Sequence, residues 1–527
     1  MTDGLDDGPL RENDMLSTLF GLPEAAVVPE NYRILRDGVD AVRFVRDQPA
    51  WVRVAHAALV ITRIFEDPYG EQSVELAWTD HHRGVVRRTV SKSVARRGKE
   101  LVKQLGDAGL PCVESDARLV EKWLAEFEAV NREVIPREWI ARQLGWQPDG
   151  TFAAAPGGER TVEPVYKEQL PPLRAHRRSG TVAGWRQAIT VIAELPTPHA
   201  CLAASFAAPL LKPLGLDSFT VDVSCRSTRG KTIALMAALS VWADPSEQAD
   251  AIASWRTSLI AIEKRLNLVS GLPVVLDETM TVDAVKMVDD VLYQVPKNCG
   301  KARGGGWPSM LPWHTVVLSS GEQPALAFTT HQGASARVLC LTGPPFPDRD
   351  RAQAVRESVC AHHGHAGAAF AEELVGLLHS PGGREALLKR HQELTDRFLG
   401  GSDMTGRRAP MAAVLALADE LAAKWGIVPF GPMKTEVWAG LFTSGGAVGM
   451  DDRPEMAMEI VRAYVAAHHA ELWRPFTVDQ RAPYQGWLGR ITSEGRVAIP
   501  PERLRRVLED AGYSLAAVPT TGRRSAT

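Results

Sequence analysis

A lysine, a run of hydroxyls and two adjacent carboxylates stand in this sequence where triphosphate chemistry could be done. The apolar run Phe219-Thr-Val-Asp-Val-Ser leads into Cys225-Arg226-Ser227-Thr228-Arg229-Gly230-Lys231-Thr232, after which a helix-forming stretch begins. Backbone N–H groups of such a loop can converge on phosphates, a lysine can reach the outer oxygens and a hydroxyl can ligate magnesium. The helix N-terminus adds partial positive charge. Lys231 and Thr232 suit the lysine and hydroxyl roles, with Cys225 to Gly230 as the cradle. Cys225 occupies the first glycine position of the phosphate-loop pattern, where a Cβ narrows the allowed backbone angles without forbidding the turn. A Gly-Lys-Thr run also suits an ordinary helix start.

The partners come later in the chain. Leu272-Pro-Val-Val-Leu ends in Asp277 and Glu278, as a buried strand would deliver them to the carboxyl edge of a sheet. Asp277 could hold magnesium with Thr232, and Glu278 could polarise the attacking water. Thr315-Val-Val-Leu ends in Ser319 and Ser320, and Ser320 suits contact with the γ-phosphate or that water. Arg337, leading into Val338-Leu-Cys-Leu, could complete the site of a neighbouring subunit by placing a cation on the transferring phosphoryl. The plainer readings are exposed acids, a core strand running into a turn and a surface ion pair. Between the carboxylates and the hydroxyl strand, Lys297, Lys301 and Arg303 lie in a glycine-rich loop. Lys301 and Arg303 could grip DNA phosphates, or serve the nucleotide.

These groups meet only if the strands carrying them lie side by side and run the same way. Strands alternating with helices between about residues 185 and 342 predict a parallel sheet with helices on both faces. Residues 50–90, including the run 52–63, read instead as strands and hairpins, and helices follow over 96–109 and 117–131, which makes an α+β region. A chain of 527 residues exceeds what one core serves, so several domains are expected. The expected division is a flexible arm over 1–30, an α+β domain over 31–180, a P-loop α/β domain over 181–350, a helical region over 351–475 and a terminal module over 476–527. That last module is either a small winged helix with Arg496 on its wing or a packing module.

Hydrophobic residues at 45%, charged ones at 23% and 14 Trp describe a folded protein. A net charge of -3 leaves no bulk positive field, so a polyanion must be met by a local patch. Arg87, Arg88, Lys92, Arg96, Arg97, Lys99 and Lys103 form one such run, and Arg503, Arg505 and Arg506 another. Six cysteines without a CxxC pair, and an N-terminal stretch lacking an apolar signal core, predict a reduced, cytoplasmic protein. The most apolar window, 200–211, falls short of the roughly 20 residues a membrane span needs. Cys360, His362, His363 and His365 form a weak metal-like cluster, since adjacent histidines cannot face one ion on a regular helix.

The chain resembles the DUF927 proteins of bacterial mobile elements, whose helicase domain is similar to the AAA+ motors of the archaeal and eukaryotic MCM class. The resemblance runs over roughly residues 30–475. It is carried by Gly145-Trp146, Gly180-Thr-Val-Ala-Gly-Trp185, Ala204-Ser-Phe-Ala-Ala-Pro, Ser227 to Thr232, Trp242, Trp255-Arg-Thr257, Asp277-Glu278, Gly300-Lys301-Ala-Arg303, Ser319-Ser320-Gly-Glu322 and Arg337. It implies an AAA+-like core working as a hexameric homo-oligomer on ATP and Mg2+. The implied partner is single-stranded or forked DNA, during replication of a mobile genetic element, with no membrane involved. Arg337 matches the arginine-finger position of such motors, and Arg408, or equally Arg407, the second sensor arginine. Lys301 and Arg303 fall where such motors project a hairpin into the central pore. The rival is a non-motor DNA-binding assembly protein with a degenerate nucleotide site.

Overall fold

The computed structural model of the chain describes residues 12–157, 161–225, 230–279, 284–300, 311–328, 337–401, 407–446, 453–475, 477, 480–484 and 486–510. Contacts divide the chain into two compact units. The first comprises Met1–Arg142, Gln147–Ala153 and Gly157–Glu163, the second Gln143–Trp146, Ala154–Pro156 and Pro164–Thr527.

In the first unit, three antiparallel strands, Tyr32–Leu35, Gly38–Val45 and Gln48–Ala55, form a small sheet. A second sheet places Thr161–Val162, Arg137–Ala141, Leu59–Glu66, Gln72–Asp80 and Gly84–Ser91 side by side in that order. The apolar run 52–63 breaks at 56–58, and its halves enter different sheets without a Gly or Pro to mark the corner. Helices Gly98–Asp107 and Ala117–Val130 bury Leu101 and Leu105, and Val120, Trp123, Leu124 and Phe127, the three- and four-residue spacing of one helix face. The indole of Trp123 donates to the Leu59 carbonyl at 2.7 Å, so the ring is buried without an orphaned N–H. The basic run of this unit is mostly paired. Arg87 meets Glu75, Lys92 and Arg96 share Glu128, Arg97 meets Glu100 and Lys99 meets Glu114.

The second unit is built on a five-stranded sheet in the order Ile252–Ser254, Val274–Asp277, Val316–Gly321, Phe219–Ser224, Val338–Thr342. Every neighbouring pair is parallel. A parallel sheet is covered on its faces and reads as continuous apolar sequence. Phe219–Ser224 and Val316–Gly321 are accordingly buried at every position. Helices Pro196–Ala207 and Lys231–Leu239 pack together and against this sheet. Beyond it the chain is mainly helical, with Arg349–Ala361, Ala366–His379, Gly383–Gly401, Ala409–Lys424, Thr435–Gly446 and Arg453–Ala467.

At the C-terminal end Leu472–Trp473, Gly489–Ile491 and Val497–Ala498 form a three-stranded sheet, followed by helix Pro501–Asp510. Arg496 sits in the hairpin turn, where its N–H bonds Thr492 Oγ1 at 3.1 Å. A winged helix also needs a recognition helix before its hairpin, and the described residues between 474 and 488 contain none. Among the described residues no helix is long and apolar enough to cross a membrane.

Several motifs that carry the family resemblance are framework. Gly180 and Gly184 leave room for the His362 ring, which a Cβ at either position would strike at 2.1 and 2.5 Å. His362 Nδ1 accepts the Thr181 N–H at 3.0 Å, and His365 Nε2 lies 3.1 Å from the Ser179 carbonyl. The histidine cluster therefore pins the 179–184 segment, and among the described residues no group of three or more His, Cys, Asp or Glu side chains is placed to hold a metal ion. Trp185 donates to Ser240 Oγ at 2.9 Å and Trp242 to the Ser205 carbonyl at 3.2 Å.

Candidate nucleotide site

Because the strands are parallel and in register, their carboxyl ends share one edge. Ser224 pairs with Gly321, and Leu276 with Ser319. The edge of such a sheet is where open α/β folds bind ligands. At this edge Thr232 Oγ1 donates to Asp277 Oδ2 at 2.9 Å, and Ser320 Oγ donates to Asp277 Oδ1. Lys231 Nζ donates to the Cys225 carbonyl at 2.6 Å, and an ammonium has two further N–H groups to offer. Gly230 caps the helix Lys231–Leu239 with φ 80, and a Cβ there would come within 2.7 Å of the Phe346 ring. Glycine is required on both counts. Glu278 follows the strand at φ 61, a left-handed turn that leaves its carboxylate exposed. Its backbone N–H lies 3.4 Å from Ser320 Oγ.

These residues line a cavity of about 760 Å³, within the range of small-molecule sites. Trp255 supports it from behind. Its backbone N–H donates to the Asp277 carbonyl at 3.1 Å and its indole to Ser319 Oγ at 3.1 Å. Deeper in the sheet, burial pushes the Asp222 carboxyl up to about 6 while its Oδ2 accepts the Ala325 N–H at 2.8 Å. Burial also pushes the Cys201 thiol up to about 12 and the Cys340 thiol higher, so both are neutral near pH 7. The six cysteines form no disulfide.

Lys231, Thr232, Asp277, Glu278 and Ser320 are thus brought together, and Gly230 with them. Cys225 lies at the end of the strand, its N–H donating to the Gly321 carbonyl at 3.3 Å. Arg226, Ser227, Thr228, Arg229, Lys301 and Arg303 lie outside the described residues. Arg337 and Arg408 are elsewhere. The Arg337 carbonyl accepts the Thr220 N–H at the start of its strand, and Arg408 reaches the Val338 carbonyl at 3.4 Å. Both stand at the amino edge of the sheet, opposite the cavity.

The sequence reading missed one wall. Helix Arg349–Ala361 begins at the cap Asp348, whose carboxylate accepts the Arg351 N–H at 2.8 Å. It lines the cavity with Arg349, Ala352, Gln353 and Arg356, the 3,4,7 spacing of one helix face. That spacing is visible in the sequence, but only the folded chain brings it to the loop. Arg356 also pairs with Glu247 at 2.8 Å and faces an adjoining cavity of about 430 Å³.

The described non-glycine residues in the left-handed region are Arg46, Asp47, Asp250, Glu278 and Asn298. Cys225 is not among them, so its side chain stores no left-handed strain for a glycine to relieve. Cys225→Gly is expected to leave ATP affinity unchanged or to weaken it about two- to fivefold through added loop entropy. Titration calorimetry of both forms checks this, and a tenfold tightening would refute it.

The sequence matches the family described as Domain of unknown function (DUF927) over residues 32–306, just over half the chain. The chain belongs to the DUF927 family. This DUF927 chain is also similar to a solved structure described as SCCmec type IV Cch, active helicase, with a TM-score of 0.64 at 15% identity, over 92% of this chain and 91% of that one. At that identity the likeness establishes a shared mixed α/β fold with a large helical C-terminal region. No curated protein matches the chain.

Proposed function

We propose that this protein is an ATP-driven DNA helicase or translocase that acts in replication of a mobile genetic element. The observation that carries the reading is the convergence of Lys231, Thr232, Asp277 and Ser320 on one cavity at the carboxyl edge of a parallel sheet. The loop strand lies between the Ser320 strand and the Val338–Thr342 strand, an order that supports an AAA+-like P-loop core. The oxygen-only pair of Thr232 hydroxyl and Asp277 carboxylate fits Mg2+, a hard cation that favours oxygen ligands. Lys231 and the N-terminus of its helix fit the phosphates of ATP. When bound, Mg2+ neutralises charge on the β and γ oxygens. Ser320 holds Asp277 in place from the next strand, and Glu278 is turned outward to orient and deprotonate water.

Arg337 and Arg408, at the far edge, suit delivery to a neighbouring copy, which supports a ring or other homo-oligomer. The helicase named by the similar structure supports DNA as partner and an active motor over a non-motor DNA-binding assembly protein with a degenerate nucleotide site. Steady-state ATPase assays with and without single-stranded DNA test the reading. Stimulation by DNA is expected, and no turnover under either condition would remove it. Lys301 and Arg303 are the proposed phosphate contacts in the pore. Replacing both by Ala should weaken binding to unrelated sequences alike and flatten the salt dependence by about two counterions. A loss confined to ATP binding would move them to the nucleotide.

A further inference from the structure

The small sheet of the first unit turns one face into the core, where Tyr32, Ile34, Val39 and Ala41 are buried. On the other face the register sets Asp40 opposite Arg53, Val42 opposite Trp51 and Phe44 opposite Pro49. Alternate residues share a side, so Phe44 and Trp51 are diagonal neighbours on one surface. Phe44 is 77% and Trp51 46% exposed. Single exposed apolar residues need no explanation, but two adjacent aromatics set among arginines do.

Arg33 lies 4.5 Å from the Trp51 ring centroid. It is held there by Asp40, which binds Arg33 at 2.9 Å and Arg53 at 2.8 Å. Arg46 stands at the hairpin tip with φ 52. Arg43 lies on the other side with Ala41, and on the aromatic side and its turns the arginines at 33, 36, 46 and 53 outnumber the aspartates at 37, 40 and 47 by one, a local positive excess in a chain of net charge -3.

We propose that this face binds single-stranded DNA, with bases stacked on Phe44 and Trp51 and phosphates met by the surrounding arginines. Every base has a π-face, so stacking on aromatic side chains is sequence-tolerant, and a cationic surround tracks the backbone. A duplex keeps its bases stacked on one another and cannot offer them to the rings. The rings' neighbours on this face include Val42 and Pro49 but also the charged Arg33, Asp40 and Arg53, which suit a polyanion better than a wholly apolar partner surface. The proposal adds a second DNA contact to the motor reading and is independent of the nucleotide cavity, so a failure of the ATPase reading would leave it standing.

The test is fluorescence anisotropy of a labelled oligo-dT with the full chain, without nucleotide, in the wild type and in a Lys301→Ala/Arg303→Ala background that removes the proposed pore contact. Phe44→Ala/Trp51→Ala is expected to lose about tenfold in affinity per ring, with the thermal melt unchanged. Trp51→Phe should bind within about threefold of wild type. Phe44→Leu/Trp51→Leu should fail like the Ala pair, because leucine is apolar but does not stack. Wild-type affinity in the Ala pair overturns the proposal. Wild-type affinity in the Leu pair overturns stacking and leaves an apolar docking face, and tighter competition by oligo-rU than by oligo-dT would assign the face to RNA instead.

Discussion

Glu278→Gln is expected to leave ATP bound and to stop its turnover. The amide keeps the size and most contacts of the side chain, and Lys231 and Thr232, proposed to hold the phosphates and magnesium, sit on another element, the helix after the loop. What is lost is a basic oxygen at the exposed end of the Asp277 strand, and removing a general base lowers turnover by about two to four decades. Lys231→Ala should differ in kind. It takes away the ammonium beside the loop and should weaken nucleotide binding itself. Calorimetry with ATP and a steady-state phosphate-release assay separate the two. Unchanged rates in both variants would remove the cavity from the chemistry, and Glu278→Gln that fails to bind ATP would make Glu278 a ligand-binding residue.

Two inactive variants should restore activity when they share an assembly. Arg337 stands five residues before Thr342 on a strand whose carboxyl end lies at the cavity, roughly 16 Å away along the sheet. A side chain there cannot reach the cavity of its own chain, so any action of Arg337 on a phosphoryl group must cross to a neighbour. An arginine supplied in this way contributes about three to five decades in turnover. Arg337→Ala and Lys231→Ala should each be nearly inactive alone. Mixed in equal amounts under subunit exchange, they should recover up to about a quarter of the wild-type rate, since one interface in four then joins an intact Lys231 to an intact Arg337. A mixture as inactive as its components would show that Arg337 does not act on a neighbour's cavity or that the chain acts alone.

The parts of this site that could be read from sequence were those in which local pattern and chemistry coincide. Phe219–Ser224, Val274–Asp277 and Val316–Gly321 are short apolar runs ending in polar groups, and each is a strand delivering those groups to one edge. Strand order was not readable, because apolar runs of similar composition pair equally well in any sequence. The wall formed by Arg349, Gln353 and Arg356 was missed for a related reason: its spacing marks a helix face but says nothing of what the face meets. The histidines at 362, 363 and 365 carried only a weak metal-like signal. Adjacent ligand-type residues on one helix cannot face one ion, and the fold uses them to accept and make hydrogen bonds that fasten the 179–184 segment. The corner at 56–58 lacked a breaker residue, so one apolar run concealed two strands.

Glu278 has a further consequence. A side chain in the left-handed region destabilises the native state by on the order of 1–3 kcal/mol, and glycine would occupy the same backbone without that penalty. Folding alone would therefore favour glycine at this position, while the proposed water activation favours glutamate. On the proposed function the chain gives up stability where the two demands conflict, since the left-handed turn that strains the backbone also carries the exposed carboxylate at the cavity's edge. On the proposed function, selection of this protein for heat resistance alone would then drift toward small or flexible residues at 278 and erode turnover before it damaged the fold.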